Sequence, residues 1–356
     1  MKLEHIDALC CPKCLSDLEI EKKYIFDEKL DRIKSGQLVC LNCNEKYSIE
    51  KYVPDLLVDD TFYADSFSEQ WIKFKNTQLD TSQLDESKVR FTSEISDLKG
   101  LEGKTILEVG SGAGRFINLL ATEAKPALLV GIDPSEAVYS SFDSVVNKSV
   151  NFLIVRCSVY NLPFKCIFDF SYSIGVLHHT PDPFLSFKKI GQVTKVGGKV
   201  ALSLYENNLF ERPNRTNLKV VFIELLWALN FVRVEFFRLF TTKVPYRVMF
   251  FYCKFFVPML HYINKVPVIR YLRYLFPSTC YRNLPVEWSM VDTMDTYSTE
   301  IVHQYRCRDI YGWYRKMQYK DINVMNSRAG WVSVNGTSTK LSNQGKEINI
   351  PTPRPI

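Results

Sequence analysis

The stretch Ile106-Leu107-Glu108-Val109-Gly110-Ser111-Gly112-Ala113-Gly114-Arg115-Phe116 limits the fold more than any other part of the chain. Thr105, Ile106, Leu107 and Val109 form an apolar, partly β-branched run, which is the composition of a buried strand. The residues from Gly110 to Gly114 bring no bulky side chain, so they can turn tightly and let a ligand approach the backbone. Phe116, Ile117, Leu119 and Leu120 then recur at helical spacing. The turn therefore opens onto a helix N-terminus, where backbone N–H groups are available.

The glycine spacing decides what such a turn holds. A dinucleotide-binding turn needs Gly-x-Gly-x-x-Gly, and here Arg115 stands where its third glycine belongs. The pattern is instead Gly-x-Gly-x-Gly, preceded by Glu108. A second acid, Asp133, ends the next apolar run, Leu128 to Ile132, where a carboxylate can accept hydrogen bonds from ribose hydroxyls. With these residues in register, the chain resembles the class I methyltransferases that use S-adenosylmethionine, closely over about residues 99–207. The resemblance implies an α/β fold with a Rossmann-like seven-stranded sheet. It further implies cofactor contacts from Glu108, Gly110, Ser111, Gly112, Gly114, Asp133, Pro134, Ser158, Val159 and Ser173. Ser158 departs from the family, which has an acid there for the adenine amino group.

Four of the ten cysteines fall in two pairs, Cys11-Pro12-Lys13-Cys14 and Cys40-Leu41-Asn42-Cys43. Each Cys-x-x-Cys turn aims two thiolates at one ion, and two turns make a closed tetrahedral site of the structural zinc type. Cys10 is an alternative to Cys11, but Cys11 keeps the two-residue spacing. Residues 1–58 thus read as a zinc ribbon whose small core leaves much of its stability to the metal. The stretch resembles ribbons fused to bacterial methyltransferases and the small zinc-ribbon subunit that activates several eukaryotic ones. Residues 59–98 read as a linker with one amphipathic helix around Phe67, Trp71 and Phe74, which in the resembled family covers the cofactor.

Residues 208–290 interrupt the sheet pattern. They carry twelve basic and four acidic residues, net +8, while the rest of the chain is net −2. With many aromatics as well, they read as a helical insertion forming a lid over the acceptor site, and Lys243, Arg247 and Lys254 would share one face. The same pattern suits peripheral contact with an anionic membrane or a homo-oligomer interface. No recognisable nucleic-acid module is present, so a nucleic-acid partner is not expected. Residues 291–336 return to the sheet, and 337–356 read as a flexible tail.

Methyl transfer from a sulfonium mainly requires alignment and exclusion of water, and a base only if the acceptor must lose a proton. His178 and His179, at the mouth after the fourth strand, and Tyr205, ending the fifth, are the candidate catalytic residues. The expected acceptor is a small molecule, a lipid-linked compound or a glycan. The competing reading is an inactive S-adenosylmethionine-binding regulatory or interaction module. Hydrophobic residues make up 46% of the 356, enough for a sizeable core, and the N-terminus lacks a signal-peptide apolar run. The expected location is cytoplasmic, with the inner membrane face as a variant.

Overall fold

A computed structural model describes residues 1–58, 70, 72–74, 77, 85–207, 218–325 and 330–344. Most of the helix expected around Phe67–Phe74, and the tail beyond residue 344, lie outside the described residues.

Seven strands form the central sheet, in the order β11-β12-β10-β9-β6-β7-β8. They are β6 (Thr105–Val109), β7 (Leu128–Asp133), β8 (Phe152–Arg156), β9 (Phe168–Ile174), β10 (Thr194–Tyr205), β11 (Lys320–Val324) and β12 (Trp331–Thr337). β8, β7, β6, β9 and β10 are parallel, and β12 pairs antiparallel with both β10 and β11. This is the Rossmann-like sheet expected from the glycine turn. Its apolar runs are buried because helices cover both faces. Those helices include α1 (Glu86–Glu94), α2 (Arg115–Glu123), α3 (Val138–Val145) and α4 (Pro183–Val193). The strand order reverses between β6 and β9, and open α/β sheets bind ligands at the carboxyl ends beside such a switch.

The N-terminal unit is a second sheet, β1 (Leu18–Ile20), β3 (Arg32–Cys40), β4 (Lys46–Glu50) and β5 (Val53–Pro54), with β2 (Ile25–Asp27) also paired to β3. Its small core is not isolated. Leu9, Ile33, Leu38 and Leu56 share one apolar cluster with Leu153, Val155 and Phe168 of the larger sheet and Phe164 of the loop between β8 and β9. It docks along the exposed edge of β8: Leu56 N donates to Arg156 O, and Asp55 pairs with the Arg156 side chain at 2.8 Å. Arg32, 4% exposed, donates to Phe152 O and lies 3.8 Å from the Phe152 ring centre. An unpaired sheet edge is thereby covered.

Between β10 and β11 the described α-helices are α5 (Leu218–Thr241), α6 (Tyr246–Lys265) and α7 (Val286–Ser298), followed by α8 (Cys307–Lys316). No helix among the described residues is long and apolar enough to cross a membrane. The chain beyond residue 336 does not all read as tail, because β12 runs to Thr337 and a short helix, α9 (Lys340–Asn343), packs back on the sheet. Asn343 there donates to the carbonyls of Gln192 and Thr194.

Candidate functional site

The glycine turn leaves β6 with Gly110 at φ +80° and Gly114 at φ +93°, the latter capping α2. A side chain at Gly110 would sit 2.3 Å from Val176, and one at Gly114 would strike Ser144 and the Ser141 backbone. These two positions need glycine for both conformation and space. Asp133, at the end of β7, braces the turn: Gly112 N donates to one carboxylate oxygen at 2.9 Å, and Ser135 N and Oγ donate to the other at 2.9 and 2.6 Å. Burial raises the Asp133 pKa against the opposing effect of these hydrogen bonds. The oxygen that accepts from Gly112 keeps a lone pair for a further donor, whereas the other is filled by the two bonds from Ser135.

The other expected cofactor residues divide by what they already hold. Glu108 is 2% exposed beneath the turn and accepts from the Tyr172 hydroxyl at 2.9 Å. Burial pushes its carboxyl up to about 8. Ser173 donates to Val109 O, Ser158 accepts from Tyr160 N, and the Pro134 carbonyl accepts from Arg156. Val159 is buried beside Ser158. Ser111 differs: its hydroxyl is buried without a hydrogen-bond partner among the described residues. A buried donor beside a braced glycine turn fits a polar ligand lying against it. The residues at this place thus suit S-adenosylmethionine, whose sugar hydroxyls can bond Asp133.

The loop after β9 packs on the turn through Val176, and the three candidate catalytic residues follow it. His178 is fully buried, with its ring 3.9 Å from that of Tyr205. Burial holds its pKa well below the usual histidine range, so it is neutral and withdrawn. His179 Nδ1 bonds to Ile301 O at 2.9 Å, and Tyr205 donates to Asp295 at 2.5 Å. Asp295 lies on α7, and the sequence reading missed its place here. Its one local signal is the polar cluster Asp292, Thr293, Asp295 and Thr296 in the second half of the helix. The same helix places Trp288, 2% exposed, 4.8 Å from the Arg115 guanidinium just after the glycine turn. Arg90 of α1 stacks at 3.9 Å on Trp331, whose ring lies 4.7 Å from Tyr205.

The basic residues of the insertion are not all outward. Arg233 donates to Phe276 O, and Arg238 to Thr296 O and Thr299 O, because both lie on the inner side of α5. Lys243, in the turn before α6, and Arg247 and Lys254 on α6 are exposed.

In the N-terminal unit the Sγ atoms of Cys11, Cys14, Cys40 and Cys43 all lie within 4.8 Å of one another. Closest pairs are 3.4 and 3.6 Å apart, near the roughly 3.8 Å that tetrahedral zinc with 2.3 Å bonds requires. Asn42 and Cys43 N–H groups point at Cys40 Sγ, and the Tyr47 hydroxyl is 3.1 Å from Cys11 Sγ, contacts that suit thiolate ligands. Cys10 stands outside the cluster and bonds Pro163 O through its backbone.

Residues 107–202 match the family model of a methyltransferase domain. Relatives named tRNA U34 carboxymethyltransferase include that of Ruthia magnifica subsp. Calyptogena magnifica, 35% identical over 112 residues, covering 30% of this chain and 35% of that protein. The protein of that name from Pseudoalteromonas atlantica is 30% identical over 108 residues, covering 30% and 33%. The chain thus spans about a third of the length of these relatives. Among solved structures, a SAM-dependent methyltransferase from Thermotoga maritima aligns with TM-score 0.39 at 13% identity, over 76% of this chain and 94% of that one. The Haloferax volcanii complex of the Trm112 methyltransferase activator aligns with TM-score 0.41 at 12% identity, over 79% and 99%.

The relatives' names overturn one expectation. The sequence set nucleic acid aside as a partner in favour of a small-molecule, lipid-linked or glycan acceptor, yet these relatives are named for a tRNA. The exclusion rested on the lack of a separate nucleic-acid module, and an enzyme can hold its acceptor on the catalytic fold without one. The matched stretch covers the glycine turn, Asp133 and the loop after β9, so the chain carries a class I S-adenosylmethionine-dependent methyltransferase domain, behind a four-cysteine unit that fits a zinc ribbon.

Proposed function

We propose that this chain methylates a nucleic-acid acceptor, of the tRNA class that its relatives are named for, using S-adenosylmethionine. The observation that carries the methyl-transfer reading is the glycine turn braced by Asp133. When bound, S-adenosylmethionine supplies an electrophilic methyl group with a neutral leaving group. The chain's own task is to hold, align and shield. Asp133 takes the sugar hydroxyls, and Ser111 and the turn backbone line the polar end. Trp288 and Trp331 exclude water, and Tyr205 faces the acceptor. The insertion 208–290 acts as a lid, with α7 reaching from Arg115 to Tyr205.

Two features support a polyanionic acceptor: the relatives' names and the net +8 of the insertion, with Lys243, Arg247 and Lys254 exposed. The inactive-module reading is not favoured, because the turn and its acidic brace are complete. A tRNA acceptor agrees with a cytoplasmic location, and no finding supports the membrane-face variant.

The test is methyl transfer from labelled S-adenosylmethionine to total tRNA taken from cells lacking this gene. Label in the RNA fraction is expected. Replacing Lys243, Arg247 and Lys254 with Gln should flatten the salt dependence of RNA binding while leaving S-adenosylmethionine affinity unchanged. Label only in small molecules would remove the nucleic-acid acceptor. Tight cofactor binding without label anywhere would revive the inactive module.

A further inference from the structure

The carboxylate of Asp295 lies ninety residues downstream of the tyrosine that it meets. Tyr205 donates to its Oδ2 at 2.5 Å, and His179 Nε2 stands 3.7 Å from its Oδ1. The Ile301 oxygen that His179 Nδ1 bonds is a carbonyl and can only accept. The neutral ring therefore carries its proton on Nδ1, and its lone pair faces Asp295. Burial keeps that ring neutral by lowering its pKa. A carboxylate oxygen and an unprotonated imidazole nitrogen thus flank a place where one added proton can be shared. Asp295 keeps 18% of its side chain exposed, whereas His178 is sealed beneath Tyr205. The tyrosine hydroxyl donates its hydrogen to Asp295, so its oxygen lone pairs are the part left to accept from an acceptor group.

We propose that Tyr205, Asp295 and His179 form a proton relay that serves the acceptor. The inference rests on the methyl-transfer reading above and adds the route of the proton. In the balanced step, the acceptor's lone pair forms the new bond to carbon, and the sulfur keeps the electron pair of the broken bond. The acceptor's proton passes to Tyr205 Oη as the tyrosine's own proton passes to Asp295. There the carboxylate and His179 Nε2 share it before its release through the exposed edge. Tyr205 is the catalytic residue, and Asp295 and His179 are positioning residues that act through it. The relay also gives the insertion a chemical task, because α7 brings the carboxylate to the end of β10.

Asp295→Asn tests this, because the amide keeps the size and can still accept from Tyr205 but cannot hold the proton. It leaves in place the other charged or titratable groups that face the cluster, namely His178, His303, Arg238, Asp292 and Tyr281. The expected result is a fall in kcat of about 100-fold or more, with KM for RNA and affinity for S-adenosylmethionine little changed. Tyr205→Phe should lose as much, and the double variant no more than either alone, as members of one relay behave. A readout without turnover uses ¹³C-labelled histidine in the protein alone. The His179 ring signal should follow a proton uptake in the wild type that is absent in Asp295→Asn. An unchanged kcat, a loss confined to KM or Tm, or a His179 titration identical in both proteins would overturn the relay. If the wild type methylates no RNA, the acceptor reading falls and the histidine titration still decides the relay.

Discussion

Glu108 makes a stability prediction whose sign and size follow from its burial. The side chain is 2% exposed, and the Tyr172 hydroxyl donates to it. Desolvation, reinforced by the nearby Asp133 charge, raises its pKa from 4.5 to about 8. The folded protein therefore holds a proton between those values that the unfolded chain has released. Stability from this group is fully present below pH 4.5 and is lost as pH rises through about 8. Within the window the slope is about −1.4 kcal/mol per pH unit, which accumulates to about 5 kcal/mol. Glu108→Gln replaces the protonated acid with a neutral group of the same shape that still accepts from Tyr172. The variant should match the wild type to within about 1 kcal/mol near pH 5. It should then gain on the wild type steadily toward pH 8. Urea unfolding at pH 5, 6, 7 and 8 measures the difference directly, and the other titrating groups cancel between the two proteins. A difference that does not change with pH would refute the reasoning, since Glu108 would then carry the same charge in both states.

Two further perturbations address the cofactor and metal sites. Asp133→Asn offers one oxygen where the carboxylate serves Gly112 on one side and Ser135 on the other, so it should weaken S-adenosylmethionine binding tenfold or more, about 1.4 kcal/mol; calorimetric titration giving an unchanged Kd would remove this residue from the site. Metal analysis should find one zinc per chain, lost with serine at Cys11, Cys14, Cys40 or Cys43 and kept in Cys10→Ser. Loss with Cys10→Ser and retention with Cys11→Ser would reassign the first ligand.

What was legible in the sequence was whatever short-range geometry encodes. Gly110, Gly112 and Gly114 between a β-branched run and a helical one can form little other than a tight strand-to-helix turn. Asp133 follows by simple strand length, and Cys-x-x-Cys pairs aim thiolates within a single turn, so their partnership across 26 residues needs only a hairpin. The seven-stranded sheet followed from the family resemblance that the glycine turn and Asp133 carry, and the helical insertion was read from its basic, aromatic-rich composition.

Tertiary structure decided the rest, because contacts between distant segments leave no mark on local periodicity. The ribbon's core is shared with the large sheet, since its apolar face and the edge of β8 each need a cover that neither can supply alone. Nothing in the spacing of His178 and His179 shows that one ring would be sealed beneath Tyr205 while the other faces a carboxylate. Ser158 and Ser173 carry free hydroxyls on paper, but folding brings each beside a backbone group that it must satisfy once water is gone. Asp295 meets Tyr205 only because α7 returns from the insertion across the carboxyl ends of the strands. That path is set by the packing of whole helices, with the Trp288 ring beside the Arg115 guanidinium at one end and Arg238 on the Thr296 and Thr299 carbonyls at the other.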